Sequence, residues 1–231
     1  MLVFGKNIAL EYLNSDKKIY RVFIQNNFND YDLINKINHK HIKVQTLTKI
    51  DMDKKVSGLH QGIILEVEDY KYADIYDVIS DEDSLIVMLD HIEDPHNFGA
   101  IIRSCEAAGV DGIIIPSDRS VEVNSTVIKT SVGTTEKMKI SRVTNLNSTI
   151  KLLKDKGYWI FGTDVNGTDY TKLDYKGKTC IICGNEGSGM SKLVRENCDF
   201  IASIPMKGEV NSLNASVATA IIVFEAIKQR G

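Results

Sequence analysis

The 231 residues include only three prolines, one tryptophan and four cysteines, and long apolar runs are also missing. No apolar run reaches the roughly 18 residues of a membrane helix, and the first residues lack the layout of a signal peptide. The sequence therefore predicts a cytoplasmic protein without a membrane partner. Lysine and arginine (28) almost balance aspartate and glutamate (31), so the net charge of −3 gives no sign of a basic nucleic-acid-binding domain.

The four cysteines do not have the pattern of a disulfide framework. Cys180 and Cys183 have the C-x-x-C spacing of zinc and redox sites, but a zinc site needs a second pair of ligands, which no nearby His or Cys supplies. A redox pair normally opens a helix, whereas this pair ends an apolar strand. We therefore expect buried free thiols and no metal.

The chain divides into two α/β segments with a polar stretch between them. Residues 1–70 alternate short helix and strand patterns and predict a small α/β domain. Residues 71–83 predict a linker, and residues 84–231 alternate longer apolar strands with helices. Continuous apolar strands between helices indicate a parallel sheet covered on both faces. Ligands of such sheets bind beyond the carboxyl ends of the strands.

Four predicted strands end in loops rich in glycine, asparagine, serine and acidic residues. If these strands are neighbours in the sheet, the loops meet at one site. The loops are "HIEDPHNFGAIIR", "DVNGTD", "NEGSGMS" and "MKGEVNSLNAS".

The glycine-rich loop "GNEGSGM" does not match a nucleotide-binding motif. It is not G-x-G-x-x-G, and the chain contains no G-x-x-x-x-G-K-[ST]. Glu186 in the loop would repel a phosphate, so the loop favours a ligand with hydroxyl and amine donors, such as S-adenosylmethionine. Turn formation alone would explain Gly187 and Gly189, but not Glu186.

The first loop leads into a predicted helix that begins at Asn97, where the asparagine can act as the N-cap. Arg103 follows six residues later, on a different face of the helix and among apolar residues. A guanidinium in such a setting usually has an anionic partner. Two interpretations stay open, a functional anion and a structural ion pair with a carboxylate of the sheet.

Three segments in order, "NFGAIIR", "GNEGSGM" and "IPMKGEVNSLNAS", resemble the three motifs of the SpoU (TrmH-like) family of RNA ribose 2′-O-methyltransferases, in the SPOUT superfamily. The likeness is close over residues 84–229. The segments "GKNIALEYL" and "SGLHQGII" resemble, more weakly, the L30e-like RNA-binding domain of the bacterial 23S rRNA 2′-O-methyltransferase branch.

The resemblance implies a SPOUT domain with a C-terminal trefoil knot behind a small L30e-like domain, and a homodimer. It implies S-adenosylmethionine as methyl donor, no metal, and no DNA as partner. By position, the implied cofactor-binding residues are Thr163, Gly184, Ile204 and Leu213. The implied catalytic residues are Asn97, Arg103, Glu186, Ser212 and Asn214. One residue of "NSLNAS" is then expected to cap the last helix while its neighbours face the ligands.

The resemblance favours 2′-O-methylation of a nucleotide, expected to be guanosine, in 23S rRNA. Two alternatives stay open at this point. One is a tRNA ribose methyltransferase of the same family, although the front domain favours rRNA. The other is an RNA-binding protein without activity, although the complete set of five catalytic residues argues against it.

Overall fold

The computed structural model describes all residues, 1–231, and the chain forms two compact units. The first unit contains Met1–Lys71 and Val123–Gly133, and the second contains Tyr72–Glu122 and Thr134–Gly231. The domain boundaries inferred from the sequence, with a first domain ending at residue 70 and a second beginning at residue 84, stay a prediction.

Ten strands and nine α-helices alternate along the chain, with 3₁₀ turns at Thr134–Glu136 and Tyr170–Lys172. The strands are β1 (Leu2–Phe4), β2 (Ile19–Gln25), β3 (Val44–Leu47), β4 (Ile63–Val67), β5 (Leu85–Asp90), β6 (Gly112–Pro116), β7 (Ile140–Val143), β8 (Trp159–Asp169), β9 (Thr179–Gly184) and β10 (Phe200–Ser203). The helices are α1 (Lys6–Asn14), α2 (Tyr31–His39), α3 (Lys49–Asp53), α4 (Ile75–Val78), α5 (Pro95–Ala108), α6 (Ser125–Thr130), α7 (Leu146–Asp155), α8 (Lys192–Glu196) and α9 (Ala215–Arg230).

The first unit is built on a four-stranded mixed sheet in the order β1-β4-β2-β3. β4 pairs antiparallel with β1 and β2, whereas β2 and β3 are parallel. The apolar residues of α1 and α2 cover the sheet because they recur at helical spacing, and Val3, Leu33 and Leu65 meet in one core cluster. This is the small α/β unit that the sequence predicts.

The helix α6 lies in sequence between strands of the second unit but packs within the first. Ile128 is buried in the same core cluster as Val3, and the Lys129 Nζ lies 4.8 Å from the centre of the Phe4 ring. The sequence pattern assigns α6 to the second predicted domain, residues 84–231. Alternating strands and helices do not tell which sheet a given helix covers.

The second unit contains a six-stranded sheet in the order β10-β8-β9-β5-β6-β7, with every neighbouring pair parallel. The predicted α/β class with a parallel sheet is confirmed. All six residues of β5 are buried, as expected for a central strand with both faces covered. The trefoil knot stays a prediction of the resemblance.

The four strands whose loops were expected to meet are neighbours, in the order β10-β8-β9-β5, so that expectation is confirmed. The prediction of a loop at "DVNGTD" was wrong, because this segment continues β8 as far as Asp169 instead of leaving the sheet. Thr168 and Asp169 pair with Ala202 and Ser203 of β10. Gly167 permits this pairing, since a Cβ there would lie 2.5 Å from the Ile201 carbonyl oxygen.

All four cysteines are free, and Cys105, Cys180 and Cys183 are buried, as the sequence predicts. Cys198 is half-buried instead. Burial raises the pKa of Cys183 to about 11 and that of Cys198 to about 12, so both thiols are protonated at neutral pH and unreactive. No helix combines the length and apolar character that crossing a membrane requires.

Candidate active site at the carboxyl ends of the strands

A cavity of about 410 Å³ lies where β8, β9 and β10 meet the start of α9. This volume is within the roughly 300–1,000 Å³ of ordinary ligand pockets. The four residues predicted to bind the cofactor, Thr163, Gly184, Ile204 and Leu213, all line this cavity. The structure therefore brings the predicted set together, and the binding role of each residue stays a prediction.

The wall of the cavity is apolar with a few polar groups. Ile204, Met206, Leu213 and Ile222 are among its apolar lining residues, and no lysine, arginine or histidine lines it. The charged side chains in the lining are the carboxylates of Asp164 and Glu186. Such a cavity suits a ligand with an apolar body and positive charge, and it disfavours phosphate.

Asp164 is a lining residue that the sequence analysis did not single out, although it directly follows the predicted end of β8. Burial opposes its charge, but hydrogen bonds from the Asn166 amide and the Arg195 guanidinium outweigh this and hold the pKa of the carboxyl below its usual range. The carboxylate is therefore ionised at neutral pH.

Gly184 is needed because the chain folds back over it. Asn185 and Gly189 exchange backbone hydrogen bonds of 3.0 and 2.8 Å and close a tight turn. A Cβ at Gly184 would lie 2.3 Å from the Gly189 carbonyl carbon and from the Met190 amide nitrogen. Only glycine fits, so the end of β9 and the turn form one fixed wall of the cavity.

Side chains of the three motifs meet in one hydrogen-bonded group, Asn97–Glu186–Asn214. The Asn214 Nδ2 donates to Asn97 Oδ1 (2.9 Å) and to Glu186 Oε1 (2.6 Å). The Asn97 Nδ2 also donates to Glu186 Oε1. Two amides thus fix one carboxylate oxygen, and Glu186 also lines the cavity. The group joins this cavity to the start of α5.

Asn214 has a second role as the N-cap of α9. Its Oδ1 accepts hydrogen bonds from the Ser216 amide (2.9 Å) and the Ser216 hydroxyl (2.6 Å). The expectation that one residue of "NSLNAS" caps this helix is confirmed. Ser212 lies in the preceding loop, is exposed and lines the cavity.

The expectation that Asn97 caps α5 was wrong. Asp94, not Asn97, is the N-cap, since the Asp94 Oδ1 accepts from the His96 amide at 2.8 Å and Pro95 occupies the first turn. Asn97 is inside the helix, and its amide is free to join the group described above. Pro95 favours this earlier start because its missing N–H needs no partner there.

Arg103 is not surrounded by apolar residues as expected, but exposed. The apolar neighbours in sequence turn to the core side of α5, whereas Arg103 is on the opposite side. Its guanidinium makes no ion pair or hydrogen bond within the chain, so the structural ion pair is excluded. It also does not line the cavity. A residue on this face is available to bind a partner molecule.

No group of three or more His, Cys, Asp or Glu side chains is placed to hold a metal ion.

Two family models match successive parts of the chain. Residues 84–224 match the family model described as the SpoU rRNA Methylase family, and residues 2–73 match the model described as RNA 2′-O ribose methyltransferase substrate binding. A protein of Staphylococcus saprophyticus assigned to the TrmH family of tRNA/rRNA methyltransferases is 40% identical, with 100% of this chain and 96% of the relative covered.

Two solved structures share the fold. The SpoU methyltransferase AviRb from Streptomyces viridochromogenes, in complex with the cofactor AdoMet, has a TM-score of 0.85 at 24% identity and covers 99% of this chain and 90% of its own. An AdoMet-bound rRNA methyltransferase from Sinorhizobium meliloti has a TM-score of 0.83 at 25% identity, with 98% and 86% covered.

The parallel sheet and the three motifs around one cavity define an RNA methyltransferase with a SPOUT-type fold. Over most of its length the sequence matches one family within that class. The chain belongs to the SpoU rRNA methylase family.

The two roles of Asn214 can be separated by substitution. We expect Asn214→Ala to lower stability by about 1 kcal/mol, because the cap of α9 is lost, which lowers Tm by roughly 2–4 °C. Asn214→Ser keeps an oxygen acceptor and should retain nearly the full Tm. Both variants lose the Nδ2 donor to Glu186, so both should lose methyl transfer by roughly tenfold or more. Thermal unfolding and incorporation of labelled methyl groups into RNA measure the two effects. Full activity in Asn214→Ser would show that the cap is the only role.

Proposed function

We propose that this protein uses S-adenosylmethionine to methylate the ribose 2′-oxygen of a guanosine in 23S rRNA, in the cytoplasm. The observation that carries the proposal is the cavity lined by the four predicted cofactor residues and joined, through Glu186, to Asn97 and Asn214. Glu186 thus belongs both to the cavity and to the hydrogen-bonded group that joins the three motifs.

The residues of the cavity fit S-adenosylmethionine. Its apolar wall, with Ile204 and Leu213, suits the adenine, and backbone groups near Thr163 and Gly184 suit the ribose and the amino-acid tail. The carboxylates of Asp164 and Glu186 suit a ligand that carries a sulfonium and an ammonium. This cofactor supplies a methyl group that is already activated by the positive sulfur.

The protein then has two tasks, to position the 2′-oxygen and to manage its proton. We assign Arg103 to clamp the neighbouring phosphate and stabilise the developing alkoxide, because an arginine is effectively always protonated and makes a poor base. The proton leaves through that phosphate or through water. Asn97 and Asn214 hold Glu186 in place, and Ser212 and Asn214 face the ribose.

The choice of 23S rRNA rests on the first unit. Residues 2–73 match a substrate-binding model of RNA ribose methyltransferases, and an added RNA-binding domain suits a large folded RNA. The alternative is a tRNA ribose, since the curated relatives are named for both tRNA and rRNA.

We also propose that the protein acts as a homodimer in which Arg103 completes the active site of the partner subunit. Arg103 is exposed, has no partner within its own chain and does not line the cavity that its own chain forms. A closed two-fold dimer would supply the residue twice, once to each site.

The test is a map of ribose 2′-O-methylation on 23S rRNA and tRNA from cells with and without the protein. We expect one 23S guanosine to lose its methyl group in the deletion strain and to regain it when the protein is restored. A methyl group lost only from tRNA would establish the alternative. Unchanged maps of both RNAs would contradict the proposal.

A further inference from the structure

A second cleft, of about 850 Å³, lies at the carboxyl ends of β5, β6 and β7. It is lined by residues that follow these strands, among them His91, Arg119 and Asn145, and by the start of α8. The turn Asn185–Gly189 contributes residues to this cleft and to the cofactor cavity. The two spaces are therefore neighbours. None of the residues assigned to the cofactor or to catalysis lines the second one, so its role is not accounted for.

A buried carboxylate fixes a histidine in the wall of this cleft. Asp90 is 1% exposed, and its Oδ1 lies 2.5 Å from His91 Nδ1, while its Oδ2 accepts from the Ser191 amide at 2.6 Å. Since a carboxylate only accepts hydrogen bonds, the His91 Nδ1 carries the proton and the Nε2 is turned outward. The Nε2 lies 3.5 Å from a guanidinium nitrogen of Arg119.

His91 and Arg119 have left-handed backbone conformations, with φ of 59° and 46°. Residues other than glycine adopt such angles rarely, and often at ligand sites. Both side chains line the cleft, and they meet at the 3.5 Å contact between the His91 Nε2 and Arg119. Arg119 remains 75% exposed and able to reach a ligand.

The hydrogen-bonding groups left free in the cleft are mainly donors. The Oδ1 atoms of Asn145 and Asn147 already accept bonds from the Ser148 amide and from Asn197, so the two amide nitrogens are free. Lys192 adds a cation, which is 87% exposed and lies 3.9 Å from the exposed Glu196 carboxylate on the same helix. A site with these donors suits a ligand rich in acceptor oxygens.

The carboxylates of the cleft are compatible with a ligand rich in acceptor oxygens. Asp90 is occupied by His91 and the Ser191 amide, and Asp118 by the Arg119 Nε at 3.1 Å. Glu93 is the carboxylate of the lining that has no partner. One free acceptor among several donors matches an RNA strand, whose phosphates and base carbonyls accept while its 2′-hydroxyls and base amines donate.

We propose that this cleft binds the RNA nucleotides that flank the target nucleotide, with Arg119 and Lys192 on backbone phosphates and Asn145 and Asn147 on base or sugar oxygens. The inference rests on the proposed function and adds to it a second, separate contact with the substrate strand. His91 is a positioning residue, which acts by holding Arg119.

The experiment measures binding of a labelled single-stranded RNA of ten nucleotides, and of DNA with the same sequence, to the intact protein. The test variant is Arg119→Gly with Lys192→Ala, in which glycine keeps the left-handed backbone at residue 119. The matched control is Lys151→Ala with Lys176→Ala, which removes the same charge from exposed positions outside the cleft. S-adenosylmethionine affinity and Tm are measured for both.

We expect the test variant to bind the RNA at least about tenfold more weakly than the control. Each lost phosphate contact should lower the slope of log affinity against log salt by about 0.7, hence by roughly 1.4 for two contacts. S-adenosylmethionine affinity and Tm should not change. RNA should bind better than the DNA because the 2′-hydroxyl can donate to Glu93.

His91→Gly tests the positioning role with the left-handed backbone retained. We expect a higher KM for RNA with an unchanged kcat, because Arg119 then loses only its orientation. Equal RNA affinity in the test and control variants, with normal methyl transfer by the unchanged protein, would overturn this inference and leave the proposed function standing. Absence of S-adenosylmethionine binding by the unchanged protein would overturn both.

Discussion

We expect Gly184→Ala to weaken S-adenosylmethionine binding by about 100-fold, or ~2.7 kcal/mol. The added methyl group would lie 2.3 Å from the backbone of Gly189 and Met190, neither of which can move aside as a side chain does. The turn Asn185–Gly189 must shift instead, and it carries Glu186 and one wall of the cavity. Calorimetric titration with the cofactor measures the loss.

Gly187→Ala in the same turn is the matched control. A Cβ there meets only the Asn185 Oδ1, at an ordinary 3.6 Å, and the backbone of Gly187 is not left-handed. We expect this variant to bind the cofactor as the unchanged protein does. A Gly184→Ala protein that binds within a few fold of the unchanged protein would show that the turn is not a fixed wall of the site.

The second large effect is expected for Arg103→Ala, which should lower methyl transfer by about 10²–10³-fold, the usual loss when a stabilising donor is removed. Affinity for S-adenosylmethionine should stay within a few fold, because Arg103 lies outside the cavity and its side chain has no hydrogen bond or ion pair within the chain to lose. Lys151→Ala, another exposed cation on a helix, should be fully active. A parallel loss of cofactor affinity and activity would give Arg103 a structural role.

The same variant tests whether each active site uses two chains. We expect Arg103→Ala chains and Asn214→Ser chains, each with methyl transfer reduced by roughly tenfold or more, to gain activity when they are mixed and allowed to exchange. Random pairing makes about half of the dimers mixed, and one of the two sites in each mixed dimer is intact, so recovery should reach at most roughly a quarter. No recovery, with exchange shown independently, would mean that each site is built within one chain.

Much of the second unit was predictable from local patterns. Apolar runs such as "LIVMLD" and "TCIICG" correspond to β5 and β9, because a central parallel strand is buried on both faces and needs apolar residues throughout. The rule that ligands bind at strand ends predicted a site at this edge of the sheet. The residues Thr163, Gly184, Ile204 and Leu213 came from the family resemblance alone, and all four line one cavity there.

Other features depended on contacts between distant residues. Asp94 displaced Asn97 as the cap of α5, and the freed amide of Asn97 meets Asn214, which is 117 positions away. Arg103 looked buried in sequence because its neighbours are apolar, yet a helix turns about 100° per residue and this position faces outward.

The sequence by itself determined most of the strands and helices of the second unit and which loops carry polar groups, since these follow from the spacing of apolar residues along a few turns of chain. The tertiary structure alone decided that α6 joins the first unit, that "DVNGTD" extends β8, and that His91 meets Arg119 in the wall of a cleft. A backbone or side-chain group bonds to whichever partner the packed chain brings within reach, and that choice is made across distances that no local pattern encodes.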